Sequence, residues 1–205
     1  MADSPGAEAL CSSVVSPEKK RTWCMFAVFL FGGAGSNESV ATRIVSEASA
    51  EFIWRRVAFY EEVPGRPPFL LDALLCPIAT EGDKSQVGAT ILCRYKQGTL
   101  VKRITAIRMP CFIRFDVLNQ QLGIEHCAIA RGGSYCIRRL AAGSEVVLTT
   151  NYRAFLHPRW LWRPLERLAV HQLHTHILNG VRKAVDADKR GGALLGAASA
   201  REEQT

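Results

Sequence analysis

Residues 143–155 constrain this chain more than any other stretch. Val146, Leu148, Thr150, Tyr152 and Ala154 fall on one side of an extended segment, and Glu145, Asn151 and Arg153 fall on the other. That period of two is what a half-buried strand requires. The chain then turns at His157-Pro158 into a long amphipathic helix that the apolar spacing carries to about Val185. Other alternating segments precede it, so the arrangement predicted is α+β: a curved antiparallel β-sheet wrapped around a long C-terminal α-helix. A sheet closing over a helix leaves room for a cavity between them.

Upstream, Val40 to Val45 reads as a first strand, and Ser49 as the N-cap of a short helix carrying Phe52, Ile53, Trp54 and Val57, with Glu51 in its first turn. Val63-Pro64-Gly65-Arg66-Pro67-Pro68 cannot continue that helix and marks a rigid loop. Residues 69–75 are an apolar run with a slight preference for helix. From Gly88 the pattern becomes a meander: Ala89, Ile91, Cys93 and Tyr95 alternate with Thr90, Leu92 and Arg94, and Lys96-Gln97-Gly98 turns the chain into a strand from Leu100 to Ile107. Pro110 interrupts before Cys111, Ile113, Phe115 and Val117. Two further strands, 124–130 and 134–140, are expected on either side of Gly132-Gly133.

The length of 205 residues suits one well-buried domain with tails. Three parts are expected: a flexible N-terminal tail with a short apolar segment (1–37), the folded domain (38–187) and a disordered C-terminal tail (188–205). The net charge of +7 admits an anionic partner. Its carriers, Arg55-Arg56, Lys102-Arg103, Arg138-Arg139 and Arg182-Lys183, are scattered, and no stretch interleaves them with stacking aromatics, so nucleic acid is not expected as a partner. The seven cysteines form no C-x-x-C pair, and several sit in strand runs where a free thiol packs as a small hydrophobe. A reducing cytoplasm is the simplest home.

Before the domain, Lys19-Lys20-Arg21 precedes an apolar block bounded by Trp23 and Phe31, followed by Gly32-Gly33-Ala34-Gly35. This order imitates a secretory signal. Nine residues make about 14 Å of helix against a bilayer core of about 30 Å, so the block cannot span a membrane. Three roles are open to it: export as a secretory signal, peripheral membrane contact through Trp23 to Phe31, and packing against the domain or a partner.

The order of strand, short helices, antiparallel meander and long closing helix resembles the helix-grip superfamily, the SRPBCC and START-like proteins, and within it uncharacterised polyketide cyclase/dehydrase-like members. Ala50-Glu51-Phe52-Ile53-Trp54, Val87-Gly88-Ala89, Gly132-Gly133-Ser134-Tyr135 and the passage from Thr149–Tyr152 to Pro158-Arg159-Trp160-Leu161 carry the resemblance. It implies a pocket for an apolar or amphipathic small molecule and transfers no catalytic residue or cofactor.

On a helical wheel Trp162, Leu165, Ala169, Leu173, Ile177, Gly180 and Ala184 share one side, expected to face the sheet. Glu166 and His176 share it, while His171 and His174 are expected to point elsewhere. Glu166 and His176 stand about 15 Å apart along the axis, too far for a direct acid/base pair. Each could touch a ligand separately; alternatively Glu166 pairs with an arginine at the helix start and His176 is hydrogen-bonded at the cavity edge. The spacing of His171, His174 and His176 spreads the imidazoles around the helix and does not suit a metal. Strand phase brings Tyr95, Tyr135 and Tyr152 inward, each an apolar ring with a hydroxyl that needs a partner. The candidate cavity residues are thus Tyr95, Tyr135, Tyr152, Glu166 and His176. Binding of an apolar small molecule is the leading reading, with residues 64–68 at the mouth. A cyclase- or hydratase-like enzyme using these acid/base residues, and a membrane-surface module, are the alternatives. No G-x-S-x-G elbow or phosphate loop is present.

Overall fold

A computed structural model describes residues 35–58 and 75–202, with side chains to residue 187, and among these residues seven strands and two helices form. Strand β1 (Ser36–Ser46) is followed by α1 (Ala50–Ala58), then β2 (Pro77–Glu81), β3 (Thr90–Tyr95), β4 (Gly98–Arg108), β5 (Phe112–Gln121), β6 (Ala128–Leu140), β7 (Gly143–Ala154) and α2 (Arg159–Glu202). The strands form one antiparallel sheet in the order β1-β7-β6-β5-β4-β3-β2. All neighbours are consecutive in the chain except β1, which pairs with β7 along its whole length, Ser36 opposite Ala154 through Ser46 opposite Ser144.

The closing strand behaves as its alternation predicts. Ser144, Val146, Leu148, Tyr152 and Ala154 are buried, with Val146 and Ala154 wholly so. Ser49 caps α1, its hydroxyl accepting the Phe52 amide at 3.3 Å, and Ile53, Trp54 and Val57 bury the inner face of that helix. The inward phases of β3 and β5 also hold: Ile91, Cys93, Tyr95, Ile113 and Phe115 are core residues. Gly143 follows the two-residue turn between β6 and β7 with φ +102°, and a side chain there would strike the Ser46 carbonyl.

Four expectations need revision. Gly132-Gly133 does not separate two strands: β6 runs unbroken from Ala128 to Leu140, with a bulge between Ala130 and Gly132, and residues 125–127 form a turn. Carbonyls of the neighbouring strands, Phe115 beside Gly132 and Thr149 beside Gly133, come too close for a Cβ, so the glycines let the sheet bend without breaking its ladder. Strand β2 has no predicted counterpart. It is a five-residue edge strand with a bulge at Pro77–Ala79, too short to display a period. The helix continues past residue 187 to Glu202. The fourth revision is the phase of α2. Its most buried side chains are His174, Leu178, Val181 and Val185, one position C-terminal to the stripe expected from the wheel, and Leu165 is half exposed. Leu173 and Ile177 of the expected stripe pack partly buried against the core and Gly180 is buried, so the inward face is the expected one widened toward the following positions, while Trp160, Leu161, Leu165 and Leu168 stand in solvent.

The apolar run at 69–74, the proline loop at 64–68 and the block from Trp23 to Phe31 lie outside the described residues. Among the described residues no helix is long and apolar enough to cross a membrane.

Candidate functional site

Helix α2 does not lie centrally on the sheet. Its closest approaches are to β1, β7 and α1. Over β3, β4 and β5 the gap between helix and sheet is bridged by side chains, and there a hollow remains. It offers about 90 Å³ in which the centre of a water molecule can lie. Ile91 and Cys93 from β3, Ile104 from β4, Ile113 and Phe115 from β5, Val57 from α1 and Ile177 and Val181 from α2 form its apolar wall. Its polar groups come chiefly from Tyr95, Lys102, Tyr135, Lys84 and Arg94.

Tyr95 and Tyr135 therefore line the hollow. Burial, with the Cys93 thiol nearby, pushes the Tyr95 hydroxyl well above the ordinary phenol range, so it is a neutral hydrogen-bonding group. The Tyr135 ring lies tilted against Phe115, centroids 6.4 Å apart. Tyr152, Glu166 and His176 do not line it. Tyr152 is buried with Val40 and Ala154 at the β1–β7 side, where its hydroxyl finds no partner among the described residues and burial beside Glu166 and Glu38 raises its pKa to about 12.

Glu166 is tied to Arg159 by two hydrogen bonds of 2.8 Å, and Arg159 also reaches Glu38 at 3.1 Å, as does Arg163. This four-residue ion cluster joins the start of α2 to β1, the arginine pairing weighed in the sequence. The carboxylates hold Arg159 far above its usual range despite the burial cost. His176 is half-buried on α2, and burial together with Lys183 lowers its pKa.

Two features escaped the sequence reading. His174, expected to point away from the sheet, is 1% exposed. Its Nε2 pairs with the Thr150 hydroxyl at 2.7 Å and its Nδ1 with Thr42 Oγ1 at 3.0 Å, and Thr42 also meets His171 Nδ1 at 2.7 Å. Burial, with His171 and Lys102 adding repulsion, lowers its pKa to about 4, so the imidazole is neutral at physiological pH. The three histidines do not converge, and no group of three metal-binding side chains occurs among the described residues. The other omission is Lys102. It was counted among scattered surface charges, yet it lies on the lining of the hollow between Leu100 and Ile104, both buried. A charge in the middle of an apolar alternation was the signal available. Cys76, Cys93, Cys111 and Cys136 are free thiols. Cys127 departs from the free-thiol expectation: it is disulfide-bonded.

No protein-family model matches the chain, and no curated protein does. Solved structures do. TTHA0849 from Thermus thermophilus aligns with a TM-score of 0.52 at 16% identity, over 74% of this chain and 99% of that one. The Zhui aromatase/cyclase from Streptomyces sp. R1128 gives the same score and identity over 74% and 94%. Norcoclaurine synthase from Thalictrum flavum, in complex with dopamine and hydroxybenzaldehyde, aligns at 0.50 and 13% identity over 88% and 96%. Identities this low speak for architecture alone. With its seven-stranded antiparallel sheet and one long terminal helix, the chain has the helix-grip α+β fold.

Proposed function

We propose that this protein binds a small apolar or amphipathic molecule in the hollow between α2 and strands β3–β5, as a carrier or sensor. The observation that carries the reading is an apolar wall interrupted by a few convergent polar groups, Tyr95, Tyr135 and Lys102 among them. Apolar ligand surface leaving water contributes about 25 cal/mol per Å², and the polar groups fix the pose. The fold supports it: one similar structure is an aromatase/cyclase and another holds dopamine and hydroxybenzaldehyde. The enzymatic alternative narrows to the cavity tyrosines, because Glu166 is committed to Arg159 and His176 lies off the cavity lining. Tyr95, held neutral by burial, is a poor general base at neutral pH. A cytoplasmic location is supported by the four free thiols and opposed by the Cys127 disulfide.

Native mass spectrometry of the full chain after exposure to lipid-rich extracts tests the proposal. The expected result is a retained small molecule that disappears in Ile177→Phe, whose ring fills the hollow. Bare protein from every extract, or equal retention by Ile177→Phe, would overturn it.

A further inference from the structure

Among the described residues, the charged side chains that line the hollow are all basic. Lys84, Arg94 and Lys102 contribute to its wall, and no aspartate or glutamate does among the described residues. Arg94 is answered outside it by Glu81, at 2.6 and 3.2 Å. Lys102 is different. It is half-buried on β4, its Nζ stands 4.5 Å from the centre of the Phe115 ring, and its other neighbours are the Cys93 thiol and the Tyr135 phenol. Among the described residues it forms no ion pair with a carboxylate.

An ammonium group in such surroundings is costly, because desolvation is not repaid by a counter-charge. Methionine or leucine at the same position would complete the apolar wall more cheaply. A cation over an aromatic face recovers only about 0.5–2 kcal/mol. Lysines elsewhere avoid burial by extending to solvent; this one turns toward the hollow. The surroundings also decide its protonation. Burial favours the neutral amine, but the neighbouring Cys93 and Tyr135 hold the proton on, with a net upward shift. At neutral pH the group is a cation. It therefore serves as an anchor for an anion and not as the free amine that imine formation with a carbonyl compound requires.

We infer that Lys102 receives the carboxylate of a compact amphipathic acid, with Tyr95 and Tyr135 placed to hydrogen-bond it and the apolar body lying against Ile104, Ile113, Ile177 and Val181. The modest volume of the hollow, about 90 Å³ for the centre of a water-sized group, calls for a compact acid. A short-chain fatty acid or a monocyclic aromatic acid has that size. The acid specificity deepens the binding reading and rests on it.

Calorimetric or NMR titration of the full chain with hexanoate, and separately with hexan-1-ol, separates the two levels. Hexanoate should bind at least tenfold more tightly than hexanol. In Lys102→Met, which keeps the length and apolar volume of the side chain, hexanoate should weaken by tenfold or more while hexanol binds as well or better; Lys102→Arg should retain the preference for the acid. Equal affinity for the two probes in the unaltered protein, or a preference that survives Lys102→Met, would overturn the role of Lys102 and leave the cavity reading standing. Failure of both probes to bind would overturn both.

Discussion

The two sides of the groove under α2 are built on opposite plans. Toward β1 and β7 the space is filled, and most of its polar groups are matched within the protein: Glu38, Arg159, Arg163 and Glu166 pair with one another, and His174 sits between the hydroxyls of Thr42 and Thr150. Toward β3, β4 and β5 the space is open, and Lys102 has no carboxylate among the described residues. These pairs tie the helix to β1 and β7, and the hollow lies on the side away from them, over β3, β4 and β5.

The largest effect should come from disrupting the filled side. Arg159→Met leaves Glu38 and Glu166 charged, largely buried and short of their main partner, which costs about 3–5 kcal/mol of folding stability. Urea denaturation reads this directly, and Glu166→Leu added to Arg159→Met should recover part of it, since it removes the orphaned charge. Loss of less than about 1 kcal/mol would mean that the cluster is as weak as a surface pair and does not tie the helix to β1.

His174 provides a smaller effect that depends on pH. Its folded pKa of about 4 lies below the ordinary 6.5, so between those values the unfolded chain binds a proton that the folded chain refuses. Stability contributed by the neutral imidazole is complete above pH 6.5 and is lost as pH falls toward 4, by on the order of 3 kcal/mol. Thermal melts across about pH 4–7 should show that slope, and His174→Gln should remove it. An unchanged slope in His174→Gln would assign the pH dependence elsewhere.

The contrast between the two sides also explains what could be read from the sequence. The sheet was legible because its strands alternate cleanly, as from Val146 to Ala154, and Tyr95 and Tyr135 followed from strand phase alone. The phase of α2 was not, because Trp160, Leu161, Leu165 and Leu168 are apolar and exposed, and a hydropathy wheel cannot tell an outward leucine from an inward one. That widening of the inward face hid His174. Tyr152, Glu166 and His176 miss the hollow because it lies over β3, β4 and β5 while α2 lies nearest β1, β7 and α1, a tertiary arrangement that local patterning does not record. Lys102 was legible in principle, as a charge between Leu100 and Ile104, but adjacency to Arg103 made it look like part of a surface pair.

The smallest energies involved, those of a weakly held compact ligand, carry the central claim, and methyl-resolved NMR during a hexanoate titration tests it most directly. The account predicts saturable shifts at Ile91, Ile104, Ile113, Ile177 and Val181, which line the hollow, with Val40 and Leu178 unmoved. Shifts confined to the β1–β7 side, or none at saturating acid, would contradict it.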